Sequence, residues 1–140
     1  MMQMNYLWLV FALCVLWSCS TAQNSQAKKN QPKKNMVKLS ALQGEVSLTK
    51  GQKAYYEASV HGSVGYTVSV LVQNDVVLKF VESNYTYKNP EKSHMSGGDE
   101  AIKTYVFEAA KPGHAILKVT EKFRGDVRNI HRIKVEVKDK

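Results

Sequence analysis

Short runs in which apolar and polar residues alternate fill the chain from residue 44 onward, and they constrain the fold more than any other feature of its 140 residues. Alternation with a period of two is typical of β-strands that bury one face, and no stretch of ten or more residues has the period of an amphipathic helix. The runs predict an all-β fold, a seven-stranded immunoglobulin-like antiparallel sandwich. The predicted strands are residues 45–49, 53–60, 66–72, 76–82, 101–109, 114–122 and 130–138.

The inward face can be named for the last three predicted strands, because side chains two residues apart point the same way. The fourth strand has two interpretations, one ending at residue 82 and one continuing through the Tyr85-Thr86-Tyr87 stretch. The inward residues are predicted to be Tyr105, Phe107 and Ala109, then Ala115, Leu117 and Val119, and finally Ile133, Val135 and Val137.

The first 22 residues contain no Asp, Glu, Lys or Arg, and residues 5–18 form an apolar run. A run of this length matches a secretory signal and is short for a membrane-spanning helix. Ser20-Thr21-Ala22 offers small residues for cleavage before Gln23, so residues 1–22 are predicted to be a signal peptide. Leu16-Trp17-Ser18-Cys19 also resembles a bacterial lipobox, with Cys19 as the lipidated residue, and an uncleaved anchor is the third alternative. We expect a secreted, periplasmic or cell-envelope protein that contacts membrane only through a lipid on Cys19.

Residues 23–40 are polar and carry lysines at 28, 29, 33, 34 and 38 without any acidic residue. Such a segment buries too little apolar surface to offset the entropy of ordering, so it is predicted to be a flexible linker before a domain of residues 41–140. These five lysines supply much of the formal net charge of +8, leaving +3 elsewhere. The charge therefore indicates no nucleic-acid partner. The lysine-rich segment is either a plain spacer or a site that docks on anionic lipid or polysaccharide, and its charge does not decide between the two.

No motif of an enzyme or of a metal site is present. Both cysteines, Cys14 and Cys19, lie in the signal segment, and the four histidines lie in separate predicted elements. A zinc site needs clustered Cys or His ligands, and a hydrolase needs a nucleophile beside its base. We expect neither cofactor nor metal, no catalytic residue, and a monomer.

Three connections are predicted to meet at one end of the sandwich. Antiparallel strands place alternate connections at opposite ends, so residues 61–65 (the first loop), 88–100 (the second loop) and 123–128 (the third loop) share an end. These loops hold five of the eight glycines, whereas the other connections are tight turns. Loops on a rigid scaffold commonly carry binding functions, so this end is the candidate site.

Several of these segments together resemble the chagasin family, which are immunoglobulin-like protein inhibitors of papain-family cysteine peptidases. The resemblance covers roughly residues 44–137. It rests on Thr49-Lys50-Gly51, Gly65-Tyr66, the run from Ser96 to Glu100, and the run from Tyr105 to Ala115. It implies reversible inhibition of a papain-like peptidase by three loops that fill its active-site cleft.

The loop motifs of that family are only partly present here. The family's Asn-Pro-Thr-Thr-Gly loop aligns with His61-Gly62-Ser63-Val64-Gly65, followed by Tyr66, and its Gly-x-Gly-Gly loop aligns with Met95-Ser96-Gly97-Gly98. Its Arg-Pro-Trp loop aligns with Phe123-Arg124-Gly125, which lacks both Pro and Trp. The resemblance implies that these residues contact the peptidase. The altered motifs favour an alternative, a non-inhibitory immunoglobulin-like envelope or surface binding module.

Overall fold

Eight β-strands build most of residues 35–140, the part of the chain that the computed structural model describes. The predicted signal peptide, Cys19 and residues 23–34 of the predicted linker lie outside these residues. Short 3₁₀ turns occur at Gly62–Val64 and Pro90–Lys92. The strands are β1 (Met36–Lys38), β2 (Glu45–Thr49), β3 (Lys53–His61), β4 (Tyr66–Gln73), β5 (Leu78–Tyr87), β6 (Glu100–Ala109), β7 (Gly113–Phe123) and β8 (Asp126–Lys138).

The strands form two layers of an immunoglobulin-like sandwich. The hydrogen-bonded order is β2-β8-β7-β4-β3-β6-β5, with β1 added to β3. A single residue pair, His61 with Tyr66, joins β3 to β4, so the ladder is continuous only within β2-β8-β7-β4 and within β1-β3-β6-β5. The hydroxyl of Tyr105 on β6 donates a hydrogen bond to the backbone carbonyl of Val68 on β4, which ties one layer to the other.

The core lies between these layers and follows the predicted alternation. The nine residues predicted to face inward on the last three strands are all buried, with exposures of 4% or less. Phe107 and Leu117 are fully enclosed. The apolar pattern therefore correctly identified the buried faces of these three strands, because a shift of one residue would expose every one of these side chains.

The strand count and the start of the domain differ from the prediction. Met36–Lys38 forms an eighth strand, parallel to Lys53, Ala54 and Tyr55 of β3. Leu39 follows it and is 1% exposed. Residues 36–39, which the sequence assigned to the flexible linker, thus belong to the domain, because Val37 and Leu39 supply apolar surface that packs on the core.

Two strand pairs are also parallel rather than antiparallel: β1 with β3, and β2 with β8. Both involve the short N-terminal strands, which cover the edges of different layers. The remaining pairs are antiparallel, as predicted.

One end of the sandwich, which we call the plain end, carries the tight turns between β2 and β3, β4 and β5, and β6 and β7. The Gly51 amide donates to the Ala109 carbonyl over 2.7 Å, and the Asn74 side chain donates to the His114 carbonyl over 2.9 Å. Within residues 35–140 no helix is long and apolar enough to cross a membrane. The same residues contain no group of three or more His, Cys, Asp or Glu side chains arranged to hold a metal ion.

Candidate functional site

The first loop is a compact turn at the end opposite the plain end. Gly62–Val64 forms one 3₁₀ turn, and Gly65 closes it in the left-handed conformation at φ 88°. The Gly65 amide donates to the Gly62 carbonyl over 2.8 Å. Ser63 and Val64 face solvent at the tip, with Val64 42% exposed. The turn therefore presents a small hydroxyl and an apolar side chain to whatever approaches.

Asp99 of the second loop holds this turn. The backbone N–H of Ser63 donates to Asp99 Oδ2 over 2.8 Å, and the Ser63 hydroxyl donates to Oδ1 of the same carboxylate. Nε2 of His61 lies 3.4 Å from Asp99 Oδ1 and 3.1 Å from the carbonyl oxygen of Gly97. The hydrogen bonds from the hydroxyl and amide of Ser63 hold the pKa of Asp99 below its ordinary value. The first and second loops thus form one connected unit.

The second loop has its own internal order. The Gly98 amide donates to the Met95 carbonyl over 2.9 Å, and the Met95 amide donates to the Lys92 carbonyl over the same distance. A Cβ at residue 98 would lie 1.8 Å from the Lys92 carbonyl oxygen, so the fold requires glycine there. Met95 and Ser96 are exposed on this loop, as is Gly97, whose φ is 78°.

An ion pair closes the base of the second loop. The ammonium of Lys88 contacts the carboxylate of Glu100, and the Lys88 amide donates to the Glu100 carbonyl over 2.9 Å. The hydrogen bond from the Lys88 side chain lowers the pKa of Glu100. The loop therefore spans residues 89–99, anchored where β5 and β6 separate.

The third loop is much shorter than predicted. Its expected range was 123–128, but Phe123 and Asp126 are already paired across β7 and β8, which leaves only Arg124 and Gly125 in the turn. Their φ angles are 50° and 92°, the signs required by a tight hairpin whose twist matches its strands. Gly125 permits so tight a turn because glycine adopts a positive φ readily. The sequence signal was weak, since an Arg-Gly pair predicts a hairpin less strongly than the usual Asn-Gly.

The third loop contacts the first directly. The Arg124 amide donates to the Gly65 carbonyl over 2.8 Å. A Cβ on Gly65 would lie 3.0 Å from Cγ of Arg124 and 3.2 Å from its backbone nitrogen. Gly65 therefore serves this contact as well as its own turn.

Phe123 and Tyr66 lie beneath the loops, opposite each other in the β4–β7 pair. The guanidinium groups of Arg124 and Arg128 lie 5.1 and 5.4 Å from the centre of the Phe123 ring, which is partly buried. The Tyr66 hydroxyl donates to Glu121 over 3.2 Å, and burial together with that carboxylate raises the Tyr66 pKa. These rings support the loop end, while Arg124 and Gly125 form its exposed tip.

The structure thus brings together the first, second and third loops, as the strand parity predicted. The resemblance included Asp99 in the run from Ser96 to Glu100 but gave it no role at the site, because its partner Ser63 is 36 residues away. The only signal in the sequence is the position of Asp99, an acidic residue directly after the Gly97-Gly98 pair.

A cleft of about 390 Å³ opens beside the loops, on the side where β4 and β5 are separated. Tyr66, Tyr85, Tyr87 and Lys103 line it, together with Asp99. The Lys103 ammonium lies 4.8 Å from the centre of the Tyr85 ring. The cleft lies beside the three joined loops and does not come between them.

Structural comparison identifies solved proteins that are similar to this chain, two of them with TM-scores above 0.5. The chain superposes on the cysteine protease inhibitor EhICP2 of Entamoeba histolytica with a TM-score of 0.58 and 10% identity, covering 74% of this chain and 95% of the other. Amebosin gives a TM-score of 0.54 at 14% identity, covering 74% and 96%. PbICP-C, solved in complex with falcipain-2, gives 0.48 at 15% identity, covering 74% and 99%.

No protein-family model matches the sequence, and no curated protein matches it. The similarity therefore lies in the fold. The chain has an immunoglobulin-like fold that it shares with EhICP2, as expected from its resemblance to the chagasin family.

Proposed function

We propose that this protein is a reversible inhibitor of papain-like cysteine peptidases that blocks the active-site cleft with the first, second and third loops. The observation that carries the proposal is the connected loop unit at one end of the sandwich. Hydrogen bonds from Ser63 to Asp99 and from Arg124 to Gly65 join the three loops. The fold shared with EhICP2, a cysteine protease inhibitor, supports the same function.

The exposed residues of the unit suit insertion into a cleft. Val64 and Met95 are 42% and 56% exposed, so each offers apolar surface that a partner would remove from water. Gly97 and Gly125 have no side chains, which lets a peptidase wall approach their backbone closely. In this arrangement Ser63 and Val64 lie nearest the catalytic cysteine, with Gly97 and Gly98 along one wall and Arg124 along the other.

Inhibition of this kind needs no chemistry from the inhibitor. The loops exclude substrate and water from the catalytic cysteine without offering it a correctly placed peptide carbonyl. Affinity then depends on the entropy that the loops lose on binding, because each group that becomes immobilised weakens association. The hydrogen bonds within the unit reduce that cost, and one inhibitor binds one enzyme.

Both ends of the described residues lie away from the three loops, which suits a tethered or secreted inhibitor. Met36 pairs with Lys53 and Lys138 pairs with Thr49, so the described chain enters and leaves at the plain end. The nine-residue strand β3 separates that end from the loops by roughly 30 Å. An N-terminal tether, including a lipid on Cys19, would leave the loops free, and we propose a secreted or cell-envelope location.

The test compares an active papain-like peptidase with the same enzyme whose cleft is filled by a peptidyl inhibitor bound covalently to the catalytic cysteine. Calorimetric titration with the purified chain is expected to give one-to-one binding to the active enzyme and none to the filled one. Equal binding to both would contradict occupation of the cleft. A folded chain that binds no member of a peptidase panel would favour the alternative, a non-inhibitory envelope module.

A further inference from the structure

The first loop of this protein has glycine at residue 62, where the aligned loop pattern has proline. A glycine loop loses more conformational freedom on ordering than a proline loop, which would weaken binding by a loop that must be ordered. Yet the loop forms a defined 3₁₀ turn. The hydrogen bond from the Gly65 amide to the Gly62 carbonyl closes the turn, and contacts from the second loop hold its tip.

The Asp99 carboxylate contacts the first loop with both of its oxygens. Oδ2 accepts the Ser63 backbone N–H over 2.8 Å, and Oδ1 accepts the Ser63 hydroxyl. Hydrogen bonds to an ionised carboxylate are about twice as strong as those between neutral groups. Because one carboxylate fixes both the backbone and the side chain of Ser63, it restricts rotation at the tip of the loop.

Glycine at residue 62 leaves room for this contact. A Cβ there would lie 3.0 Å from Asp99 Oδ2, the same oxygen that accepts the Ser63 amide. A side chain at residue 62 would therefore crowd the carboxylate, and either Asp99 or the loop would have to shift slightly. Glycine at residue 62 therefore has two effects. It lacks the backbone restraint that proline would supply, and it leaves room for the hydrogen bonds from Ser63 to Asp99.

We infer that Asp99 is a positioning residue of the inhibitory site, which holds the first loop in its docking conformation before the peptidase arrives. This inference rests on the proposed function, and it adds a residue outside the aligned loop motifs. Asp99 itself need not touch the peptidase. It acts through Ser63 and so keeps Val64 at the tip of the loop.

The first experiment compares the inhibition constants of the wild type and Asp99→Ala against one papain-like peptidase. We expect inhibition to weaken by about 10- to 100-fold, because the free loop must then be ordered on binding. Asp75→Ala is the matched control, since it removes an exposed carboxylate from the turn between β4 and β5 at the plain end and changes the net charge equally. Asp75→Ala should inhibit like the wild type. Equal inhibition by Asp99→Ala and Asp75→Ala would overturn the inference.

Two further variants separate positioning from general damage to the fold. Ser63→Ala keeps the amide bond and loses the hydroxyl bond, so it should weaken inhibition by less than Asp99→Ala does. Ser63→Thr keeps both donors, so in the free protein the amide of residue 63 should exchange at about the wild-type rate, whereas in Ser63→Ala it should exchange faster. Equal exchange rates in Ser63→Ala and the wild type would show that the hydroxyl has no positioning role and would contradict the inference.

Hydrogen exchange of the free protein gives a readout that is independent of any peptidase. The Ser63 amide should exchange at least about tenfold faster in Asp99→Ala than in the wild type, while amides of the core strand β7 remain unchanged. An unchanged Ser63 exchange rate would overturn the inference even if the chain inhibits. A wild type that inhibits no peptidase, with Ser63 protected only when Asp99 is present, would instead overturn the proposed function.

Discussion

Replacing Gly65 by alanine adds one methyl group and tests whether the first loop packs against the third. The Gly65 φ of 88° lies in the left-handed region, where an L-residue costs about 1–2 kcal/mol. In Gly65→Ala the new Cβ would also lie 3.0 Å from Arg124 Cγ and 3.3 Å from its Cα. Arg124 cannot simply withdraw, because its amide donates to the Gly65 carbonyl over 2.8 Å.

The expected loss of stability is the sum of these effects. Crowding a packed contact costs about 1–3 kcal/mol, so Gly65→Ala should lower the free energy of unfolding by roughly 2–5 kcal/mol. Gly51→Ala is the matched control: Gly51 has a φ of 84°, and its Cβ would have nothing within 4 Å. That variant should lose only about 1–2 kcal/mol, the backbone term alone.

Urea unfolding of both variants measures the difference, with the midpoints compared at constant slope. Inhibition of a papain-like peptidase should fall by about tenfold or more in Gly65→Ala and remain unchanged in Gly51→Ala, whose turn lies at the plain end. Equal stability losses and equal inhibition in the two variants would refute the claim that the first loop packs on the third through Gly65.

Three further predictions concern the domain boundary, the contact between layers and the response to acid. Leu39→Ala should lower the free energy of unfolding by about 2–5 kcal/mol because the side chain is 1% exposed, whereas a residue in a flexible linker would show no change on urea unfolding. Tyr105→Phe removes the hydrogen bond to the Val68 carbonyl and should cost about 1–3 kcal/mol, measured in the same way, since the buried carbonyl loses its partner. The Ser63 hydroxyl and amide lower the Asp99 pKa from its ordinary 3.8, so the contact is fully present above that pH and is lost as the pH falls through the lowered value. Ser63 amide exchange, corrected for intrinsic rates, should therefore stay slow down to about pH 4 and rise below it. A rise already complete at about pH 5 would contradict the assignment to Asp99.

Much of the fold was predictable because burial imposes the same period on every strand. The alternation on β7 and β8 identified the residues that are enclosed, and the parity of antiparallel connections placed the first, second and third loops at one end. The eighth strand was missed because Met36–Lys38 is too short to show a period. Its lysine also continues the charge pattern of the preceding segment, so composition assigned it to the linker.

The site was less predictable because its contacts depend on distances that a linear motif does not contain. The aligned loop pattern located Ser63 and Gly65, but nothing near Ser63 indicates that Asp99 accepts its hydrogen bonds. The length of the third loop was overestimated, since the polar residues Asp126 and Arg128 are exposed strand residues here. Hydrophobic periodicity cannot detect a strand that has no buried face.

The most direct test of the central claim is a tight-binding titration of a papain-like peptidase with the wild type, Val64→Asp and Val76→Asp. The two valines are similarly exposed, 42% and 55%, but Val64 is at the tip of the first loop and Val76 is in the turn between β4 and β5 at the plain end. A charge forced into an apolar contact carries a large desolvation penalty, so Val64→Asp should inhibit at least about 100-fold more weakly than the wild type. Val76→Asp should match the wild type. Undiminished inhibition by Val64→Asp, or equal losses in both variants, would contradict the account.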